Sequence, residues 1–174
     1  DAKVTHYANY NADLVEGHHL SYPCSFRHEG VFYCVPEEGR SGRVRLFRFD
    51  EEFRRLVEVA TLLRDIPAID PTVFFHEGLW WLACTVCDQR HSRLLLWHSR
   101  VLTGPYVPHR RNPVKIDTRT ARTAGRPFTW KGKVYRPAQD MSGAYGEKIH
   151  IQEIVRLDPN VFEERPACTL RSFD

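Results

Sequence analysis

Phe74-Phe75-His76-Glu77-Gly78-Leu79-Trp80-Trp81 places an apolar run, a polar turn closing on glycine, and a second apolar run in immediate succession. That order predicts strand, turn, strand. The same grammar recurs at Phe26-Arg27-His28-Glu29-Gly30-Val31-Phe32-Tyr33 and, more loosely, at Phe128-Thr129-Trp130-Lys131-Gly132-Lys133-Val134-Tyr135. The turn glycines Gly30, Gly78 and Gly132 lie 48 and 54 residues apart, a period that suits one blade of a β-propeller and is too long for a leucine-rich or ankyrin unit.

Working outward from each hairpin, every unit continues with a polar loop, a third apolar strand and a fourth strand. The first unit reads as strands over about 21–28, 31–36, 43–49 and 56–63. The second reads over 70–76, 79–85, 93–99 and 106–116, and the third over 125–130, 133–137, 148–156 and 162–170. Leu79-Trp80-Trp81-Leu82-Ala83-Cys84 and Arg93-Leu94-Leu95-Leu96-Trp97 are nearly continuous apolar runs, as strands covered on both faces must be. Residues 51–64 are the only helical-looking stretch, but Leu56-Val57-Glu58-Val59 is rich in β-branched residues and reads as strand after a helical-turn preface. The expected fold is all-β: three four-stranded antiparallel blades, about 21–64, 70–117 and 121–171, of a partial or truncated five-bladed propeller. Residues 1–20 would cover an edge or belong to a preceding blade.

Three blades leave sheet edges bare, and bare edges invite aggregation. Further blades, a fused catalytic domain or a homodimer would each cover them. A longer polypeptide is the preferred expectation.

Composition is ordinary for a globular domain, at 42% hydrophobic and 27% charged residues with a net charge of +3. The arginines are scattered among acids, so no nucleic-acid partner is expected. No apolar run reaches the length of a membrane-spanning helix. Compartment stays open, a cytoplasmic one being slightly favoured for a bacterial protein. Five cysteines, an odd number, read as buried reduced thiols. Cys84-Thr85-Val86-Cys87 with His91 and His98 invites a zinc reading, yet residues three apart on a strand point to opposite faces, so no metal is expected. Phosphate-cradling and dinucleotide-binding glycine motifs and the nucleophile elbow are all missing, which leaves no cofactor to assign.

In a propeller the inner strands begin near the mouth of the central channel, and the loops after the second strands converge there too. That rule selects His18, His19, Ser21, Tyr22, Glu37 and Glu38 from the first unit, Asp70 and Asp88 from the second, and Arg122, Arg126, Arg136, Gln139, Asp140 and Tyr145 from the third. Of the tryptophans, Trp80, Trp81 and Trp97 read as core, with Trp130 the best candidate to stack on a sugar ring.

The segments His19-Leu20-Ser21-Tyr22-Pro23, Val35-Pro36-Glu37, Asp70-Pro71-Thr72-Val73-Phe74, Gly104-Pro105-Tyr106, Ala121-Arg122-Thr123-Ala124-Gly125 and Tyr135-Arg136-Pro137-Ala138-Gln139-Asp140 together resemble the N-terminal propeller domain of glucosamine inositolphosphorylceramide transferases and of bacterial formyltransferase-like fusion proteins. The resemblance runs over about 18–165. That domain is in turn similar to the five-bladed propellers of glycoside hydrolase families 43 and 32, which carry three carboxylates around the channel. Asp70 matches the second of these. At the other two positions the chain has Tyr22-Pro23 and Arg122-Thr123, so the usual carboxylate set is unmatched.

Two functions follow as expectations. The first is a carbohydrate-binding or glycan-processing module, part of a longer protein that makes or edits a glycan or glycolipid. It would take a carbohydrate or sugar phosphate on His19, Tyr22, Arg122, Arg136, Gln139 and Tyr145. The alternative is a furanosidase-like glycoside hydrolase using Asp70 with Glu37 or Asp140, since hydrolysis needs two carboxyl groups across one pocket. A non-catalytic interaction scaffold stands as a third reading.

Overall fold

The structure, a computed structural model, describes residues 20–38, 41–50, 55–86 and 92–171. Those residues form three antiparallel sheets and no α-helix. Sheet 1 joins β1 (Ser21–His28), β2 (Val31–Glu37), β3 (Arg43–Phe49) and β4 (Leu56–Arg64) in chain order. Sheet 2 joins β5 (Ala68–His76), β6 (Leu79–Val86) and β7 (Arg93–Ser99), then two short strands, β8 (Val107–Pro108) and β9 (Lys115–Ile116), both paired to β7. Sheet 3 joins β10 (Phe128–Trp130), β11 (Lys133–Gln139), β12 (Lys148–Asp158) and β13 (Val161–Arg171).

The repeated hairpins share one turn. Glu29-Gly30, Glu77-Gly78 and Lys131-Gly132 all have both central residues at positive φ, from +46° to +82°, the geometry whose twist matches two antiparallel strands and which glycine alone adopts without strain.

Two strands differ from expectation. The single strand over 106–116 is interrupted between β8 and β9, because Pro108 has no N–H to donate and Asn112 takes over the backbone's role. The Asn112 amide donates to Leu96 O (2.7 Å) and its Oδ1 accepts from Leu96 N (2.9 Å). The inner strand of sheet 3 pairs continuously only over Phe128–Trp130; upstream, Gly125 (φ +137°) and Pro127 break the ladder, and Thr123 makes an isolated bridge to Ala138. The helical-turn preface at 51–54 and residues 1–19 lie outside the described residues.

Alternation along β6 explains its unbroken apolar sequence. Trp80, Leu82 and Cys84 join a core with Phe26, Val35 and Leu46 of sheet 1. Trp81 and Ala83, pointing the other way, join a second core with Ile154 and Leu157 of sheet 3. β6 is thus covered on both faces.

Candidate functional site

β1 and β5 carry a bulge at the same place in the repeat, between Ser21 and Cys24 and between Ile69 and Thr72. Within those bulges Tyr22 (φ +43°) and Asp70 (φ +51°), each just before a proline, sit in the left-handed region. Such a backbone costs about 1–3 kcal/mol for a non-glycine residue and persists where the surroundings hold it. Asp70 tolerates it better than Tyr22, since short polar side chains bond their own backbone there.

The surroundings are specific. The Asp70 N–H donates to Glu37 Oε2 at 2.8 Å. Its carbonyl accepts from the hydroxyls of Thr123 (2.6 Å) and Thr72 (3.0 Å). Its carboxylate receives Arg122 Nε, 2.5 Å from Oδ2. Tyr22 leans across from sheet 1, its hydroxyl 3.1 Å from that of Thr72, and burial pushes its pKa upward. Arg122 also lies 5.5 Å from the centroid of the exposed Tyr145 ring and donates to Met141 Sδ. Glu37, Tyr22, Asp70, Arg122 and Tyr145 are therefore brought together. Gln139 supports them by donating its backbone N–H to Arg122 O at 2.9 Å.

Beside this cluster lies a cavity of about 220 Å³ lined by Tyr22, Pro23, Cys24, Ser25, Gly125 and Arg126. Arg126 Nε donates to Val73 O at 2.9 Å, and its guanidinium covers the Phe26 ring at 4.9 Å. No hydrogen bond to its terminal nitrogens occurs among the described residues.

Asp140 and Arg136 make other bonds. Asp140 Oδ1 accepts from the Ser142 amide (2.8 Å) and hydroxyl (2.5 Å), and Oδ2 lies 3.0 Å from His150 Nε2. Burial acts to raise the Asp140 carboxyl, but the Ser142 bonds and His150 outweigh it and hold the pKa at about 2. Arg136, buried, forks onto Glu164 with bonds of 2.9 and 2.7 Å and donates to Thr120 O at 2.6 Å. Lys115 completes that cluster, 2.6 Å from Glu164. Glu38 is buried and pairs with Arg45 at 2.7 Å. Trp80, Trp81 and Trp97 are core, whereas Trp130 is exposed on the outer face of sheet 3.

His18, His19, Asp88, Cys87 and His91 lie outside the described residues. Cys84 is buried between sheets 1 and 2, and burial raises the thiol pKa of Cys24, Cys34 and Cys84, that of Cys34 to about 12. These thiols are not nucleophiles near neutral pH. Thr72, Thr123, Met141, Ser142 and His150 escaped sequence reasoning. Thr72 and Thr123 were legible as neighbours of Asp70 and Arg122, but nothing in the sequence marks His150.

Solved structures share this fold. An exo-beta-1,3-galactanase from Clostridium thermocellum superimposes with a TM-score of 0.65 at 11% identity, over 85% of this chain and 34% of its own. The GH43_1 enzyme from Xanthomonas citri complexed with xylose does so with a TM-score of 0.62 at 11% identity, over 86% of this chain and 56% of its own. The chain is an all-β protein of the propeller class, with three successive blades.

Its family is narrower. Residues 2–170 match the family described as glucosamine inositolphosphorylceramide transferase 1, N-terminal, and the chain belongs to that family. Glucosamine inositolphosphorylceramide transferase 1 of Oryza sativa subsp. japonica is 34% identical over 159 residues, 88% of this chain and 21% of the relative. That of Arabidopsis thaliana is 31% identical over 157 residues, 87% of this chain and 20% of the relative. The chain thus spans about a fifth of the length of these curated relatives.

Proposed function

We propose that this chain is a carbohydrate-binding propeller module that holds a glycan without hydrolysing it, within a protein that builds a glycan or glycolipid. The observation that carries this reading is Arg122 Nε on the Asp70 carboxylate at 2.5 Å. Glycoside hydrolysis asks one carboxyl group to donate a proton and a second, roughly 5–10 Å away, to act as base or nucleophile. Here Asp70 is neutralised by a guanidinium, Glu37 is spent on the Asp70 N–H, and Asp140, with a pKa of about 2, carries no proton near neutrality. What remains for binding is the cavity bearing the Tyr22 ring and the Arg126 guanidinium, and the exposed Tyr145 ring beside Arg122. Aromatic faces with a few fixed polar groups suit a sugar.

Calorimetric titration with glucosamine, galactose and xylose tests this, alongside assays of their p-nitrophenyl glycosides. Saturable binding by one of them is expected, weakened at least tenfold in Tyr22→Ala and Arg126→Ala variants that remain folded at the assay temperature, with no nitrophenol released. Release that disappears in Asp70→Asn would establish a hydrolase instead. Failure of every sugar to bind would leave an interaction scaffold.

A further inference from the structure

The outer edge of sheet 3 holds a chain of three side chains that glycan binding does not use. Thr169 Oγ1 lies 2.9 Å from His150 Nδ1, and His150 Nε2 lies 3.0 Å from Asp140 Oδ2. Asp140 is 5% exposed and His150 is largely covered, whereas Thr169 is open to solvent. The carboxylate, ionised because its pKa is held at about 2, fixes the tautomer. An ionised carboxyl only accepts, so in the neutral ring Nε2 carries the proton and Nδ1 presents its lone pair to the Thr169 hydroxyl.

Strand pairing brings these groups together. The Asp140 N–H donates to Lys148 O at 3.1 Å, continuing the register of Gln139 on Ile149, so Lys148 turns its backbone polar groups toward β11. Antiparallel ladders alternate. His150, two residues on, therefore also turns its N–H and C=O toward β11, and its opposite number across β12 and β13, Thr169, shares no backbone bond with it. Side chains of such pairs stand closest, their Cα atoms about 4.5 Å apart, which is why imidazole meets hydroxyl here. The same alternation turns the Thr169 N–H away from β12, and β13 is the last strand of sheet 3 among the described residues.

We propose that Thr169 is a nucleophile with His150 as its base and Asp140 as the group that positions the imidazole, forming a second site on this chain that cleaves small carboxylic esters. A hydroxyl, a base within reach of it and a third group orienting the base together activate a nucleophile that is weak by itself. Thr169 Oγ1 bonds to the ester carbonyl carbon while its proton passes to His150 Nδ1. The outward Thr169 N–H is free to donate to the carbonyl oxygen as negative charge gathers there, the part a nucleophile's own amide takes in an oxyanion hole. The bond from the carbonyl carbon to the alcohol oxygen then breaks, and the alcohol leaves with that proton. Water, deprotonated by the same nitrogen, attacks the acyl-threonine, and the proton returns to Oγ1 as the carboxylic acid departs.

The probe is p-nitrophenyl acetate, used on the 174-residue chain in a Cys168→Ser background, because the exposed Cys168 thiol next to Thr169 is itself an acyl acceptor. Catalytic release of nitrophenolate is expected, with an acetyl group trapped on Thr169 by acid quenching and located by peptide mapping. Thr169→Ala and His150→Gln variants that remain folded at the assay temperature should each lose release by on the order of a hundredfold, while Thr169→Ser should retain it and Glu163→Gln should leave it unchanged. Asp140→Asn, whose amide can donate to Nε2 and so favours the wrong tautomer, should lower kcat and spare KM. Release that persists in Thr169→Ala would overturn the proposal by showing that His150 attacks the ester directly. Release no faster than from an equal concentration of free imidazole would overturn it too, leaving a chain of hydrogen bonds that pins the strand edge.

Discussion

Arg122 and Asp70 form an ion pair that ties the loop entering sheet 3 to the bulge at the start of sheet 2, with 12% and 6% of their side chains exposed. At that burial the two charges hold each other up. Removing one leaves the other without compensation, which is far costlier than the net worth of the intact pair.

Arg122→Met is therefore expected to destabilise the chain by about 3–5 kcal/mol. The double variant Arg122→Met/Asp70→Asn should recover a substantial part of that loss, because no charge is then stranded. Urea unfolding of the two variants measures the difference, and equal losses would show that the guanidinium acts by packing alone.

Glu164 faces two cations, Arg136 and Lys115, at 2.7 and 2.6 Å. Burial acts to raise its pKa, but the charges and hydrogen bonds of Arg136 and Lys115 together outweigh it and lower the value. Glu164→Gln leaves Arg136, 1% exposed, without its counter-ion, and a loss of about 3 kcal/mol is expected. Glu163→Gln, on an exposed neighbour, should change stability by less than about 0.5 kcal/mol. The same unfolding assay compares them.

The Asp140 carboxyl titrates near 2 in the folded chain against 3.8 ordinarily. A depressed folded pKa means that the unfolded chain binds the proton first. The contribution of this carboxylate is thus fully present above about pH 4 and is lost as the pH falls toward 2. Asp140→Asn should flatten the stability profile over that window. Urea midpoints measured between pH 2 and 6 would reveal it.

Gly78 stands at φ +79°, with no atom within 4 Å of where a Cβ would be. Gly78→Ala therefore suffers no clash, only the left-handed backbone, and should cost about 1–2 kcal/mol. A larger loss in thermal unfolding would mean that the hairpin itself has rearranged.

Much of the architecture was written locally. Glu-Gly and Lys-Gly between apolar runs specify a two-residue turn, and the turn fixes the register of β1 on β2 and of β5 on β6. The fourth strand of sheet 2 was less legible, because Asn112 replaces backbone with side chain, a substitution that leaves no periodic trace. Site partners were harder still. Arg122 meets Asp70 from 52 positions away, and Asp70 announced itself by its Asp-Pro-Thr setting. Arg136 was equally conspicuous between apolar neighbours, but its fork turns to Glu164, 28 residues on. Which buried acid a strand arginine reaches depends on the face its strand presents, and a bulge that inserts one extra residue reverses that face.

The paired bulges at Tyr22 and Asp70 act as interchangeable sockets. Each fixes where a side chain leaves its strand, and neither fixes which side chain it is. An acid at residue 22 would fit the left-handed backbone more comfortably than tyrosine does, and it would put a carboxylate on each of two adjacent sheets. The chemistry presented at these two positions can thus change by exchanging occupants, with every strand left where it stands.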